Sequence, residues 1–171
     1  GGQIDVSSEP GGTMFTVRVP LAHPTVGDAI RDPVLPPRPS HADGPRILVI
    51  DDDKMVIAAV QRVLERFHPV TGVTSAEEAM THLRTGERFD VVLCDMVMPG
   101  MNGMAFFAAV NSLDERQAQR VVFTTGGALA PDMVRFLANA RNPALAKPFG
   151  FSEVREAVNR IVTEHGRYTS A

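Results

Sequence analysis

From Arg46 onward the chain alternates five times between a short apolar run and a pattern of helical period. The runs are Ile47–Ile50, Val70–Val73, Val91–Cys94, Val121–Thr124 and Ala144–Ala146. Continuous apolar runs of this length suit parallel strands buried on both faces. Between them lie amphipathic faces. Val56, Ala59, Val60, Val63, Leu64 and Phe67 mark the first helix, and Phe106, Phe107, Val110 and Leu113 the third. Ser75 with Glu78 is a capping-box signature that opens the second, which turns Ala79 and Leu83 inward. Pro131 fits the first turn of the fourth, ahead of Met133, Phe136, Leu137 and Ala140. Val154, Ala157, Val158, Ile161 and Val162 make the last. Strict alternation implies right-handed crossovers, so the expected fold is α/β, a doubly wound five-stranded parallel sheet flanked by five helices.

Four of these runs end on a polar signal. Asp51-Asp52-Asp53 follows the first and Asp95 the third; Thr124-Thr125 and Lys147-Pro148 close the last two. A parallel sheet gathers the carboxyl ends of its strands on one edge, where open α/β sheets bind ligands. Carboxylates, a hydroxyl and an ammonium meeting there suit a hard cation and a phosphoryl group. Adjacent carboxylates repel unless a cation or proton relieves them. Each signal also has a plainer reading: aspartates favour helix starts and turns, and a lone Lys-Pro is a loop.

Two longer motifs narrow the choice. The segment Asp95-Met96-Val97-Met98-Pro99-Gly100-Met101-Asn102-Gly103 and the triplet Lys147-Pro148-Phe149 resemble the receiver domain of two-component response regulators. The resemblance implies a flavodoxin-like fold with strand order 2-1-3-4-5. It implies Asp95 as the phosphoacceptor and Thr125 as the hydroxyl that meets a phosphoryl oxygen. Lys147 would be the cation on that group, its ammonium aimed into the pocket by a cis Lys147–Pro148 bond. Mg²⁺ would be held by Asp51, Asp52, Asp95 and the Val97 backbone carbonyl, with Asp51 acting through water. Asp53 would point away and start the following helix, and Gly126 would fill the small-residue position beside the acceptor.

One position departs from the pattern. Many receivers carry Tyr or Phe three residues before the lysine, and here that residue is Ala144, which has no rotamer to switch. The stretch from Thr125 to Phe149 is similar to receivers at the ends of hybrid histidine kinases. Residues 1–20, which alternate as Gln3–Ser8 and Met14–Val19 around Pro10-Gly11-Gly12, resemble the closing hairpin of a histidine-kinase ATP-binding domain. An unrelated hairpin is the other reading, and a lone hairpin is marginally stable in water. Residues 21–45 carry Pro24, Pro33, Pro36, Pro37, Pro39 and Pro45 and read as a semi-rigid linker. The expected organisation is thus a remnant hairpin over 1–20, a Pro-rich linker over 21–45, a receiver over 46–165 and a tail over 166–171.

The resemblance implies a two-component phosphorelay protein in which a phosphohistidine delivers its phosphoryl group to Asp95. The partners would be a histidine-kinase core or a histidine phosphotransfer protein, with homodimerisation through the parent kinase. The fragment lacks the kinase core, and the parent would be a histidine kinase, a transferase. A net charge of -3 argues against a nucleic-acid surface, and no apolar run reaches membrane-spanning length. The single cysteine, Cys94, excludes an internal disulfide and fits a cytoplasmic location, whether or not the parent is membrane-tethered. Cys94 reads as a small hydrophobe, the five histidines show no metal-ligand spacing, and Met96, Met98, Met101 and Met104 read as packing residues. Two rivals remain. A receiver-like docking module that is not phosphorylated would be expected to lack an acid, the acceptor or the lysine. An aspartyl phosphatase would want a second Asp where Val97 stands.

Overall fold

The computed structural model describes residues 3–9, 12–18 and 44–168, and the expected linker lies outside them except for Gly44 and Pro45. The chain forms two compact units. In the first, β1 (Gln3–Glu9) pairs antiparallel with β2 (Gly12–Arg18), placing Ile4 opposite Val17 and Val6 opposite Phe15. Ile4, Val6 and Val17 are all exposed. Across the strands an Arg18 guanidinium nitrogen bonds the Asp5 carboxylate.

The second unit holds a parallel sheet of β3 (Ile47–Ile50), β4 (Val70–Val73), β5 (Val91–Asp95), β6 (Val121–Thr125) and β7 (Ala144–Ala146). Its order is β4-β3-β5-β6-β7, which is the expected 2-1-3-4-5 arrangement. β3 and β5 are buried at every residue, as continuous apolar runs require in the middle of a doubly covered sheet.

The helices are α1 (Lys54–Leu64), α2 (Ala76–Arg84), α3 (Gly103–Leu113), α4 (Glu115–Ala118), α5 (Pro131–Asn139) and α6 (Phe151–His165). One core packs Leu48, Val92, Cys94 and Phe123 against α2 and α3, with α5 at its margin. The other packs Ile47, Val49, Leu93 and Val122 against α1 and α6. The helical faces differ from expectation in places. On α1 the buried residues are Ile57, Val60 and Leu64, while Ala59 is exposed and Phe67 lies beyond the helix at 40% exposure. Leu113 ends α3 exposed. The one-turn α4 is an addition to the five expected helices; Asp114 caps it by accepting from the Gln117 N–H at 3.2 Å. Pro131 opens α5 as expected. The capping at α2 is split: Ser75 Oγ accepts from the Glu78 N–H at 3.2 Å, and Glu78 accepts from the Thr74 N–H at 3.3 Å. Among the described residues no helix is long and apolar enough to cross a membrane.

Candidate functional site

Four strand ends build the site. β3 leads into Asp51 and Asp52, β5 ends on Asp95, β6 ends on Thr125, and β7 leads into Lys147. Register sets them side by side, with Ile50 opposite Cys94, Asp95 opposite Thr124 and Thr125 opposite Ala146. One carboxylate oxygen from each of Asp51, Asp52 and Asp95 lies within 4.8 Å of the others. Lys147 Nζ donates to Asp51 Oδ2 at 2.6 Å and to Asp95 Oδ2 at 2.9 Å. Asp51 and Asp95 are 2% and 5% exposed, whereas Asp52 faces solvent.

The local sequence explains each placement. Asp53 turns away to cap α1, accepting from the Met55 N–H at 2.8 Å, while its own N–H donates to Asp51 Oδ1 at 3.0 Å. The Val97 N–H reaches back to Asp95 Oδ1 at 3.4 Å. Gly103 permits a tight return of the following loop: a Cβ there would lie 2.6 Å from the Asp95 carbonyl oxygen. The Lys147 N–H donates to the Thr125 carbonyl at 2.6 Å, and the Lys147–Pro148 bond is cis. At Gly126 a Cβ would come 3.3 Å from Lys147 Cδ, so the small residue adjoins the lysine stem. The Thr125 hydroxyl is not directed at the carboxylates; it donates to the Leu145 carbonyl at 3.4 Å.

The charges do not balance. Three carboxylates face one ammonium, and both partners of the closest pair register the excess. Burial raises the Asp51 carboxyl above its ordinary range against the pull of Lys147, and the charge of Asp95 adds to the rise. Burial also works against the Lys147 ammonium, yet its bonds to Asp51 and Asp95 outweigh that and hold its pKa above the ordinary lysine value. A surplus of buried negative charge on oxygen donors fits a divalent hard cation that keeps part of its water, as Mg²⁺ does. Cys94, fully buried beneath Asp95, has its thiol pKa pushed up by burial and is inert.

Two features escaped the sequence reading. Glu77, on the first turn of α2, accepts from the Met101 N–H in the loop after Asp95 at 3.0 Å. The residues expected as a tail also pack down: the Arg167 Nε donates to Asp90 Oδ2 at 3.0 Å, and Arg120 donates to the Gly166 carbonyl at 2.8 Å. The first carries only the signal of an acid in a helix's opening turn, and the second carries none that is local.

A fold of this topology with acids and a lysine gathered at its strand ends is that of a signalling receiver. The family model of the response regulator receiver domain matches residues 47–159, and the chain belongs to that family. It is 31% identical over 167 residues to the sensor histidine kinase AruS of Pseudomonas aeruginosa, covering 95% of this chain and 16% of AruS. It is 29% identical to the sensor protein GacS of Pseudomonas syringae pv. syringae, covering 76% of this chain and 14% of GacS. The chain therefore spans about a sixth of these relatives or less. Among solved structures, the signal receiver domain of a signal transduction histidine kinase from Syntrophus aciditrophicus superposes with a TM-score of 0.65 at 22% identity. That match covers 75% of this chain and 97% of the other.

Proposed function

We propose that Asp95 accepts a phosphoryl group from a phosphohistidine, making this chain a phosphorelay receiver. The observation that carries the reading is the placement of Lys147 Nζ within hydrogen-bond reach of both Asp51 and Asp95, among three clustered carboxylates. A carboxylate oxygen of Asp95 attacks phosphorus, the phosphorus–nitrogen bond breaks, and its electron pair stays on the departing imidazole. Lys147 offsets charge on the phosphoryl oxygens and orients Asp95 for attack. Thr125, one residue along the strand from Asp95's partner Thr124, exchanges its bond to Leu145 for one to a phosphoryl oxygen. Asp51, Asp52, Asp95 and the Val97 carbonyl are the groups that would hold Mg²⁺. Bound there, the ion supplies charge neutralisation at the transferring group.

The parent in this reading is a hybrid sensor kinase, with residues 1–20 closing its ATP-binding domain, 21–45 as linker, 46–165 as receiver and 166–171 as tail. Similarity to AruS over 95% of this chain, reaching well outside the receiver match, supports it. The partners are then the kinase core or a histidine phosphotransfer protein in the cytoplasm. The test is intact mass after incubation with Mg²⁺ and acetyl phosphate. A gain of about 80 Da, absent in Asp95→Asn and with chelator, is expected. No gain from acetyl phosphate or from a phosphorylated kinase core overturns the reading in favour of an unphosphorylated docking module.

A further inference from the structure

We infer that Glu77 is a positioning residue for phosphoryl transfer, holding the loop between Asp95 and α3 from the neighbouring helix α2. The inference rests on the proposed role of Asp95 and adds a residue outside the acid cluster. The loop is pinned at both ends. Met96 and Met98 are buried in the core, and Asn102 caps α3 by accepting from the Ala105 N–H at 2.9 Å. Between these anchors the chain turns through Pro99-Gly100-Met101, with Gly100 at a φ of +74°. The amide after it, that of Met101, is a main-chain donor that takes an acceptor. Glu77 Oε1 provides it, accepting from the Met101 N–H at 3.0 Å.

The carboxylate is presented by a fixed element. The Ser75 cap sets the first turn of α2, and Ala76, Ala79 and Met80 anchor its buried face. A Cβ on Gly100 would stand 2.8 Å from the same Oε1, so glycine and carboxylate form one interlocking unit. Only Met98 separates this turn from Val97, whose carbonyl belongs to the proposed metal shell. Without Glu77 the Pro99–Met101 turn loses its tie to α2, and on that side Val97 is held by the buried Met98 alone. Site groups displaced by an ångström lose rate without loss of fold, because pre-organisation is what the site contributes.

The test compares the full chain with Glu77→Ala and Glu77→Gln, the latter keeping an oxygen acceptor at the same place. Met101 amide exchange, Mg²⁺ affinity, phosphorylation rate at saturating acetyl phosphate and thermal midpoint are measured on all three. In Glu77→Ala the Met101 amide should exchange faster, and both Mg²⁺ affinity and rate should fall about fivefold, the worth of one net hydrogen bond. Glu77→Gln should restore all three, with midpoints within about 2 °C of each other, as for surface substitutions. Unchanged Met101 exchange in Glu77→Ala overturns the inference, as does faster exchange with unaltered Mg²⁺ affinity and rate. A parent protein that takes no phosphoryl group from any donor overturns the proposed function instead; Met101 exchange and Mg²⁺ affinity then decide whether Glu77 shapes the loop.

Discussion

At the carboxyl end of the sheet Asp51 and Asp95 share a single lysine, whereas at the amino end Asp90 is enclosed by donors. Asp90 is 3% exposed and accepts from the Arg46 N–H at 2.7 Å, the Arg167 Nε at 3.0 Å and the Tyr168 N–H. Around it the Tyr168 ring lies 5.2 Å from the guanidinium carbons of both Arg116 and Arg120. The Tyr168 hydroxyl donates to Asp114 Oδ2 at 2.5 Å. Burial alone would raise the Asp114 carboxyl, but bonds from Tyr168, the Gln117 N–H and Arg88 hold it below its ordinary range. The Arg167 guanidinium also donates to the Gly44 carbonyl at 2.7 Å, so the last described residues tie down the segment that leads into β3. One end of the sheet thus satisfies its buried acids and the other leaves them short of positive charge. A deficit of this kind costs stability and is kept where a ligand relieves it.

The amino end depends most heavily on Asp90. Asp90→Ala strands three donors at a buried position and should cost about 3 kcal/mol, roughly 10 °C in melting midpoint, read by calorimetry. A loss under about 1 kcal/mol would mean the amino end is no better satisfied than the site. Ending the chain after His165 removes the Tyr168 and Arg167 contacts and should cost about 2 kcal/mol in urea unfolding. At the other end the sign reverses. Asp51→Asn should gain about 1 kcal/mol at pH 7, as relief of a functional-site conflict does, while weakening Mg²⁺ binding. The sign follows from the raised Asp51 pKa: its ionised form is penalised in the fold at neutral pH, and the penalty disappears as pH falls and the carboxyl protonates. The gain should therefore shrink toward pH 4; an Asp51→Asn protein less stable than its parent at pH 7 would remove the contrast.

These two ends were unequally legible in the sequence. The acids and lysine of the carboxyl end each follow a strand run directly, so strand register alone converts sequence order into proximity, as the pairing of Asp95 with Thr124 shows. The amino end is assembled from Arg46, Asp90, Asp114, Arg120 and the Gly166–Tyr168 segment, which share no spacing and meet only after the crossovers close. Periodicity misplaced parts of α1 because Ala59 and Phe67 satisfy an apolar pattern that continues beyond what the sheet can cover, while Ile57 takes the core position. The α4 turn was readable: Asp114-Glu115-Arg116-Gln117 has the spacing of a capping signature, though four residues carry too little periodicity to stand out.

The smallest effect tests how far the amino-end clasp reaches. His68, just before β4, has a buried Nδ1 with no hydrogen-bond partner among the described residues. Its pKa lies below the ordinary 6.5, first through burial and then through the positive charge of Arg167, with Asp90 opposing. A histidine whose pKa is lower folded than unfolded binds more protons when unfolded. Its contribution is therefore intact above the unfolded value and is lost as pH falls from about 6.5 through the folded value. Urea midpoints measured at pH 7.5 and 5.5 should drop further in the parent protein than in His68→Gln. NMR titration of the chain ending at His165 should then show the His68 pKa moving upward, since Arg167 is gone while burial and Asp90 remain. An unmoved pKa would assign the shift to burial alone and confine the clasp to Asp90, Asp114 and Gly44.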